Sequence, residues 1–261
     1  MVSGRRFYVE LGGASPRVGQ SIALAGDESH HLRTVLRAAG GEVLDLTDGR
    51  GHALRGVLRG GGRREALVEI TEVSFAAAEI AAPRLHLVCA IVKGKRFELA
   101  LEKAVELGAH SITPLSAARG VVDPRDGKLD RWRGVLIGAL KQSGRCHLPD
   151  LNAPATLDEA LAGASGPVYF GAAPGDAAAG EPQQPAAAAA QAARRRAAGE
   201  PPPPALWLLI GPEGGWTDGE LSLLAARLAL PLVLGPHVLR TETAAVAGLA
   251  GLQQVRAAWL A

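Results

Sequence analysis

Aromatic residues make up only 4% of this 261-residue chain, which has one methionine and two cysteines. Its hydrophobic share of 48% is therefore carried mainly by Leu, Val, Ile and Ala, a composition that suits a globular core and excludes a disordered chain. Cys89 sits in an apolar run and Cys146 beside a basic turn. They form neither a CxxC pair nor a disulfide framework, and both are expected as reduced thiols. No stretch approaches the roughly 18 apolar residues of a membrane span, and Arg5 and Arg6 precede no apolar run of signal-peptide length. The expectation is a cytoplasmic protein without a membrane partner. His30 and His31 are adjacent, and the other histidines are scattered, so no metal site is expected. The chain also lacks a Gly-Lys-Ser/Thr loop, a G-x-G-x-x-G fingerprint and a Gly-x-Ser-x-Gly elbow, which removes the phosphate-loop, dinucleotide and serine-hydrolase readings.

The net charge of +2 is small, but it is unevenly spread. Lys plus Arg against Asp plus Glu is 10 to 10 over residues 1–80, 12 to 7 over 81–150, and 6 to 9 over 151–261. A positive middle third suits a phosphate-facing surface as well as an ordinary solvated face.

About 75 residues at the start read as β-rich. Phe7 to Val9, Val43 to Leu46 and Ala66 to Ile70 are strand-like runs separated by Gly40-Gly41, Asp48-Gly49 and Gly60-Gly61-Gly62. One short helix, Glu28 to Arg37, is expected to turn His31, Val35 and Leu36 inward, with Arg33 and Arg37 four apart on another face. From Pro83 the pattern becomes strand, helix, strand. The expected strands are Leu85 to Val92, Ile112 to Leu115, Val168 to Phe170, Leu206 to Ile210 and Leu232 to Leu234. Helices follow from the spacing of Phe97, Leu101, Ala104 and Val105, and of Trp132, Val135, Leu136, Ala139 and Leu140, with two more at about 219–228 and 242–259. This predicts an α/β fold with a mostly parallel sheet covered on both faces. The Ala/Pro-rich stretch 172–204 ends in four prolines and is expected to be a mobile insertion, although Ala186 to Arg196 could form a transient helix.

Two loops carry the strongest chemical signal. In the first, Leu209-Ile210 runs into Gly211-Pro212-Glu213-Gly214-Gly215-Trp216, and Thr217 with Glu220 then forms an S/T-x-x-E helix start. Such a strand-to-helix turn marks a ligand pocket in α/β folds, and its glycines let backbone groups approach a flat ligand; a plain tight turn is the alternative. The second loop is Leu234-Gly235-Pro236-His237-Val238-Leu239-Arg240-Thr241-Glu242-Thr243-Ala244. Thr241 is its candidate N-cap, while Glu242 is placed to complement the helix dipole and Arg240 to pair with Glu242. Lys93-Gly94-Lys95-Arg96-Phe97-Glu98 and Gln142-Ser143-Gly144-Arg145 put cations at element ends, which suits phosphate or base-edge contacts as well as an ordinary solvated loop.

On these segments, together with Asp27-Glu28-Ser29-His30-His31-Leu32-Arg33-Thr34-Val35-Leu36-Arg37 and Lys103 through Glu106-Leu107-Gly108, the chain resembles the ribosomal RNA small-subunit methyltransferase E family, which makes 3-methyluridine in 16S rRNA. The resemblance implies a PUA-like RNA-binding β-barrel (1–77) followed by a SPOUT methyltransferase domain with a trefoil knot (82–261). It implies S-adenosyl-L-methionine as cofactor, the 16S rRNA of the 30S subunit as partner, and a homodimer. By the same resemblance the cofactor would be held by Phe170, Leu209, Ile210, Gly211, Pro212, Glu213, Gly214 and Gly215 from the first loop and its neighbouring strand, and by Leu234, Gly235, Pro236, Val238, Leu239, Arg240, Thr243 and Ala244 from the second. RNA contacts would fall to Arg6, Arg33, Arg37, Lys93, Lys95, Arg96 and Arg145. Arg240, Arg119 and Glu242 are the catalytic candidates, with Arg240, Arg119 or Arg145 stabilising charge on the uracil oxygens and Glu242 orienting an Arg or accepting a proton. The chain departs from the family at Ala118-Arg119-Gly120, at Gly171-Ala172-Ala173 and at His237, where Arg is usual. Methylation of another RNA, at a ribose 2′-hydroxyl or another base, and a non-catalytic assembly factor are the rival readings.

Overall fold

The computed structural model describes residues 6–61, 65–120, 128–173 and 181–261, so that Gly62 of the third Gly-rich turn and 174–180 of the Ala/Pro stretch lie outside it. The chain divides into two compact units, Met1–Ile80 with Ile137–Leu148, and Ala81–Leu136 with Pro149–Ala261.

The first unit is built on strands β1 (Arg6–Tyr8), β2 (Ser21–Ala25), β3 (Val43–Thr47), β4 (His52–Gly60) and β5 (Glu65–Phe75), in the order β1-β3-β4-β5-β2. All neighbours are antiparallel except β1 and β3. Alternation along the strands buries Phe7, Leu24, Leu44, Leu46, Leu54, Val68 and Ile70 in one core. Strands β2 and β4 were not anticipated. Gly60 of the predicted turn ends β4, and Gly56 lies inside the strand at a register shift, where a Cβ would come within 2.5 Å of Val68 Cγ1 and 2.8 Å of Glu69 O.

The expected helix at 28–37 is two short pieces, α1 (Gly26–His30) and a π-helical turn His31–Val35, followed later by α2 (Ala77–Ile80). The wider π turn changes the inward face: Leu32 is buried, while His31 is exposed and Val35 is 61% exposed, contrary to the 3.6-residue spacing. Arg33 donates to Gly60 O at 2.7 Å and to Glu65 O at 3.2 Å, holding both ends of the β4–β5 connection.

The second unit runs β6 (Arg84–Ala90), α3 (Lys95–Glu106), β7 (Ser111–Leu115), α4 (Lys128–Ser143, whose residues from Ile137 belong to the first unit), β8 (Asp150–Leu151), α5 (Leu157–Ala162), β9 (Val168–Ala172), α6 (Pro185–Ala197), β10 (Ala205–Ile210), α7 (Asp218–Ala226), β11 (Leu230–Val233) and α8 (Thr241–Leu260). Its six strands form one parallel sheet in the order β11-β9-β10-β6-β7-β8. Burial on both faces explains why β10 and β6 from Leu85 read as nearly unbroken apolar runs, while β7 also buries Ser111 and Thr113. Helix α3 buries Phe97, Ala100, Leu101, Ala104 and Val105 at the spacing the sequence predicted.

The Ala/Pro stretch departs from expectation at 185–197. These residues form α6, with Pro185 at its first position, an alanine run of high helix propensity, and Arg194, Arg195 and Arg196 at the negative end of the helix dipole. Ala188 and Ala192, one turn apart, are buried, Pro185 seats against Gly251 of α8, and the Arg195 guanidinium lies 5.4 Å from the Trp259 ring. Packing against α8 thus orders a segment that composition alone reads as mobile.

His86 on β6 stacks on Trp207 of β10 with ring centroids 4.4 Å apart and lies 2.6 Å from Ser111 Oγ of β7. Burial, aided by the Arg84 charge, lowers its pKa from 6.5 to about 4 against an opposing effect of Asp150. The unfolded chain therefore binds a proton below about pH 6.5 that the folded chain refuses until about pH 4. Stability is expected to fall as pH drops through that window, by about 1–2 kcal/mol once the ring's partial exposure is discounted. Thermal melts of wild type and His86→Gln from pH 7 to 4 check this; parallel slopes for the two proteins would refute it.

Candidate functional site

The C-terminal ends of β9, β10 and β11 meet the start of α8 around one cleft. Its walls come from three strand ends: Gly171-Ala172-Ala173 after β9, Ile210 to Glu213 with Gly215 and Trp216 after β10, and Leu234, Gly235, His237, Val238 and Leu239 after β11. Thr241 and Ala244 of α8 close it. It encloses about 680 Å³, open solvent at its mouth included. Crevices outside the carboxyl ends of parallel strands are where α/β folds hold ligands.

Local chemistry shapes each wall. Helix α7 begins with the expected capping box, in which Thr217 Oγ1 accepts from Glu220 N at 3.2 Å and Glu220 Oε2 accepts from Thr217 N at 2.8 Å. Glu220 is buried, and its second oxygen accepts from Ala118 N at 3.0 Å, tying the turn after β7 to the same helix start. Trp216 is 6% exposed and donates from Nε1 to Gly171 O at 3.0 Å, linking the β10 and β9 walls. Its ring stands edge-on to Phe170, with centroids 6.3 Å apart.

Thr241 is not the N-cap. Arg240 occupies that position without a side-chain cap, and the buried Thr241 hydroxyl instead donates to Gly211 O at 3.2 Å, joining the two loops. The cleft thus presents backbone and small or apolar side chains, with Glu213 and His237 its titratable lining groups among the described residues.

Several sequence candidates fall elsewhere. Phe170 and Leu209 are core residues, each one position before a wall residue, because strand alternation turns them away from the cleft. Gly214, Pro236, Arg240 and Thr243 belong to the two loops but are not wall residues; Gly214 backs onto Arg119 instead. Conversely, Trp216 lines the cleft, as do His237 and Thr241 of the second loop and Gly171 to Ala173, where the chain departs from the family pattern, although none of these is among the individual cofactor candidates. Their signal was position: Gly171 to Ala173 end a strand, Trp216 follows a glycine, and His237 and Thr241 stand within the second loop.

Among the catalytic candidates, Arg240 is exposed between wall residues Leu239 and Thr241 and forms no ion pair with a described residue. It does not pair with Glu242, which is 6% exposed, with its Oε2 buried and without a hydrogen-bond partner. Glu242 acts electrostatically on Cys89, whose thiol is pushed up to about 12 by burial first and that carboxylate second. Cys89 is thus an inert thiol. Arg119 donates from Nη1 to Gly214 O at 2.9 Å and Trp216 O at 3.1 Å.

Of the proposed RNA contacts, Lys93 and Lys95 are exposed at the start of α3, and Arg96 pairs with Glu213. In the first unit Arg37 is exposed with φ of 51°. Arg6 donates to the carbonyls of Gly144 and Arg145, and Arg145 is held by Glu79 at 3.2 Å with its side chain 10% exposed, so both are tied into the protein. Among the described residues no group of three or more His, Cys, Asp and Glu could hold a metal ion, and no helix is long and apolar enough to cross a membrane.

The model of the RNA methyltransferase domain family matches residues 80–253, more than half of the chain, and that of the RNA methyltransferase PUA domain matches residues 24–71. The ribosomal RNA small subunit methyltransferase E of Mycobacterium bovis is 32% identical over 257 residues, covering 97% of this chain and 92% of the relative. The chain belongs to the ribosomal RNA small subunit methyltransferase E family. The Synechocystis sp. member is 31% identical over 232 residues, 88% of this chain and 72% of the relative. Among solved structures, the family member from Neisseria gonorrhoeae bound to S-adenosyl methionine superposes with a TM-score of 0.79 at 28% identity, covering 96% of this chain and 97% of that one. A Legionella pneumophila methyltransferase with bound cofactor SAM gives 0.77 at 31% identity, covering 95% and 96%. Family membership accounts for a PUA-like unit followed by an α/β unit.

Proposed function

We propose that this protein transfers a methyl group from S-adenosyl-L-methionine to N3 of a uridine in 16S rRNA of the small ribosomal subunit, working as a cytoplasmic homodimer with the trefoil knot of the SPOUT class. The observation that carries the reading is the cleft: three parallel strand ends and a helix start line it with backbone groups and small side chains, in a chain whose relatives are named for rRNA methylation. The cofactor fits it chemically. Gly215 and Gly235 put no side chain between the loop backbone and the edge of a flat base, and the acidic wall group, Glu213, is held by Arg96. The bound cofactor supplies an electrophilic methyl group on a sulfonium centre.

The protein's own residues then have two tasks. The cleft walls hold the donor so that uracil N3 can align with the methyl group, which lowers the barrier through orientation. Arg240, exposed between two wall residues, stabilises the negative charge that develops on the uracil carbonyl oxygens as the weakly acidic N3 proton passes to solvent water. Lys93 and Lys95, exposed beside the Arg96–Glu213 pair, are cations available to rRNA phosphates in this unit. Undermethylated 30S subunits incubated with labelled cofactor and digested to nucleosides are expected to yield labelled 3-methyluridine. A label on ribose or on another base would replace the N3 assignment, and no cofactor binding at millimolar concentration by calorimetry would end the enzyme reading.

A further inference from the structure

Resting on that reading, we infer that Arg119 is a positioning residue that holds the Gly211 to Trp216 loop in its cofactor-binding shape, rather than a group that touches the uracil. One terminal nitrogen of its guanidinium donates to the carbonyls of Gly214, at 2.9 Å, and Trp216, at 3.1 Å, so that it spans Gly215, whose φ is +70°. A backbone kinked through the left-handed region leaves two carbonyls pointing to the same side, and a single cationic donor satisfies both. The aliphatic stem of Arg119 lies against the same loop. A Cβ on Gly214 would approach Arg119 Cβ to 3.2 Å and Cδ to 3.5 Å, so the glycine there makes room for the arginine.

Arg119 is itself carried on a fixed support. Ser116 N donates to Ala155 O at 2.8 Å, Gly120 N closes a turn onto Ala117 O at 2.8 Å, and Ala118 N is held by the buried Glu220. Trp216, whose carbonyl is one of the two acceptors, passes the constraint on to the β9 wall through Gly171 O. Arg119 thus joins the turn after β7 to two walls of the cleft without being a wall residue. Arg96 grips the loop at Glu213 independently.

The test is calorimetric cofactor affinity together with steady-state kinetics on 30S subunits for wild type, Arg119→Ala and Arg119→Lys. For Arg119→Ala, cofactor Kd and KM are expected to rise about tenfold, the scale of losing a charged donor to two partly exposed carbonyls, with kcat at saturating cofactor within about threefold of wild type. Arg119→Lys, which keeps a charged donor of similar reach, is expected to recover most of the affinity. A large fall in kcat with unchanged cofactor affinity would overturn the inference by making Arg119 a catalytic residue, and unchanged Kd and kcat would overturn it by making the two hydrogen bonds idle. Equal loss of affinity in both variants with a lowered melting temperature would also overturn it, as a general folding defect. Failure of wild type to bind the cofactor would instead strike the functional reading itself.

Discussion

Gly211→Ala is expected to weaken S-adenosylmethionine binding by about ten- to a hundredfold while leaving the protein folded. An added Cβ would stand 2.9 Å from Trp216 Cε2, closer than real Cβ contacts come, and a tight 3.1 Å from Cζ2 and 3.2 Å from Cδ2. The obstacle is a rigid indole that cannot swing aside cheaply, because it is 6% exposed, bonded through Nε1 to Gly171 O and set edge-on against Phe170. Overpacking of this kind costs about 1–3 kcal/mol, and relief requires either the ring or the loop to move. Both Gly211 and Trp216 are wall residues, and Gly211 O is the acceptor for Thr241, so either movement also disturbs the second loop. The loss therefore falls on the cleft, at about tenfold in affinity for each 1.4 kcal/mol. Calorimetry gives the affinity and a thermal melt checks the fold. Adding Trp216→Phe, which removes the fused ring that meets the new methyl, is expected to restore part of the affinity that Gly211→Ala loses. A Gly211→Ala protein binding the cofactor as wild type does would show that the indole is not the fixed wall described.

What the sequence makes legible follows periodicity and local chemistry. The parallel sheet is readable because strands buried on both faces must be almost wholly apolar, as Leu85 to Ala90 and Leu206 to Ile210 are. The α7 cap is readable because Thr217 and Glu220 satisfy each other locally. Failures occur where a distant contact decides. Thr241 reads as a cap until Gly211 O, thirty residues earlier, claims its hydroxyl. Val35 reads as inward because nothing local announces a π-helical turn. An Ala/Pro segment reads as mobile until Gly251 offers Pro185 a seat. In the site, the two glycine loops are visible in the sequence, whereas the β9 wall is not: Gly171, Ala172 and Ala173 carry no chemistry of their own and matter through where the strand ends. The division of labour among the arginines is equally tertiary, since Arg6, Arg33, Arg119 and Arg145 find backbone or carboxylate partners that spacing cannot show.

That division makes Arg240→Ala the variant with the largest expected kinetic effect, a fall in kcat of about a hundred- to a thousandfold, the scale of removing one preorganised donor from a developing oxyanion. Arg240 is exposed, lies between wall residues of the cleft and forms no ion pair with a described residue, so its charge is not already committed to another group. Glu242 does not take it up, being buried where its charge acts on Cys89. The backbone at Arg240 already serves as the N-cap of α8 without its side chain, so alanine leaves the helix start intact. Cofactor affinity is accordingly expected to stay within about threefold of wild type, which separates a transition-state effect from a binding effect. The pH profile adds a second signature. Without a cation to favour loss of the N3 proton, the residual rate is expected to climb more steeply with pH than that of wild type, because a rising fraction of the uracil ionises unaided. Arg240→Lys keeps the charge but loses the planar fork, and is expected to fall between the two. Full turnover by Arg240→Ala at saturating substrates would remove Arg240 from the chemistry, and a loss confined to cofactor KM would make it a cofactor-binding residue instead.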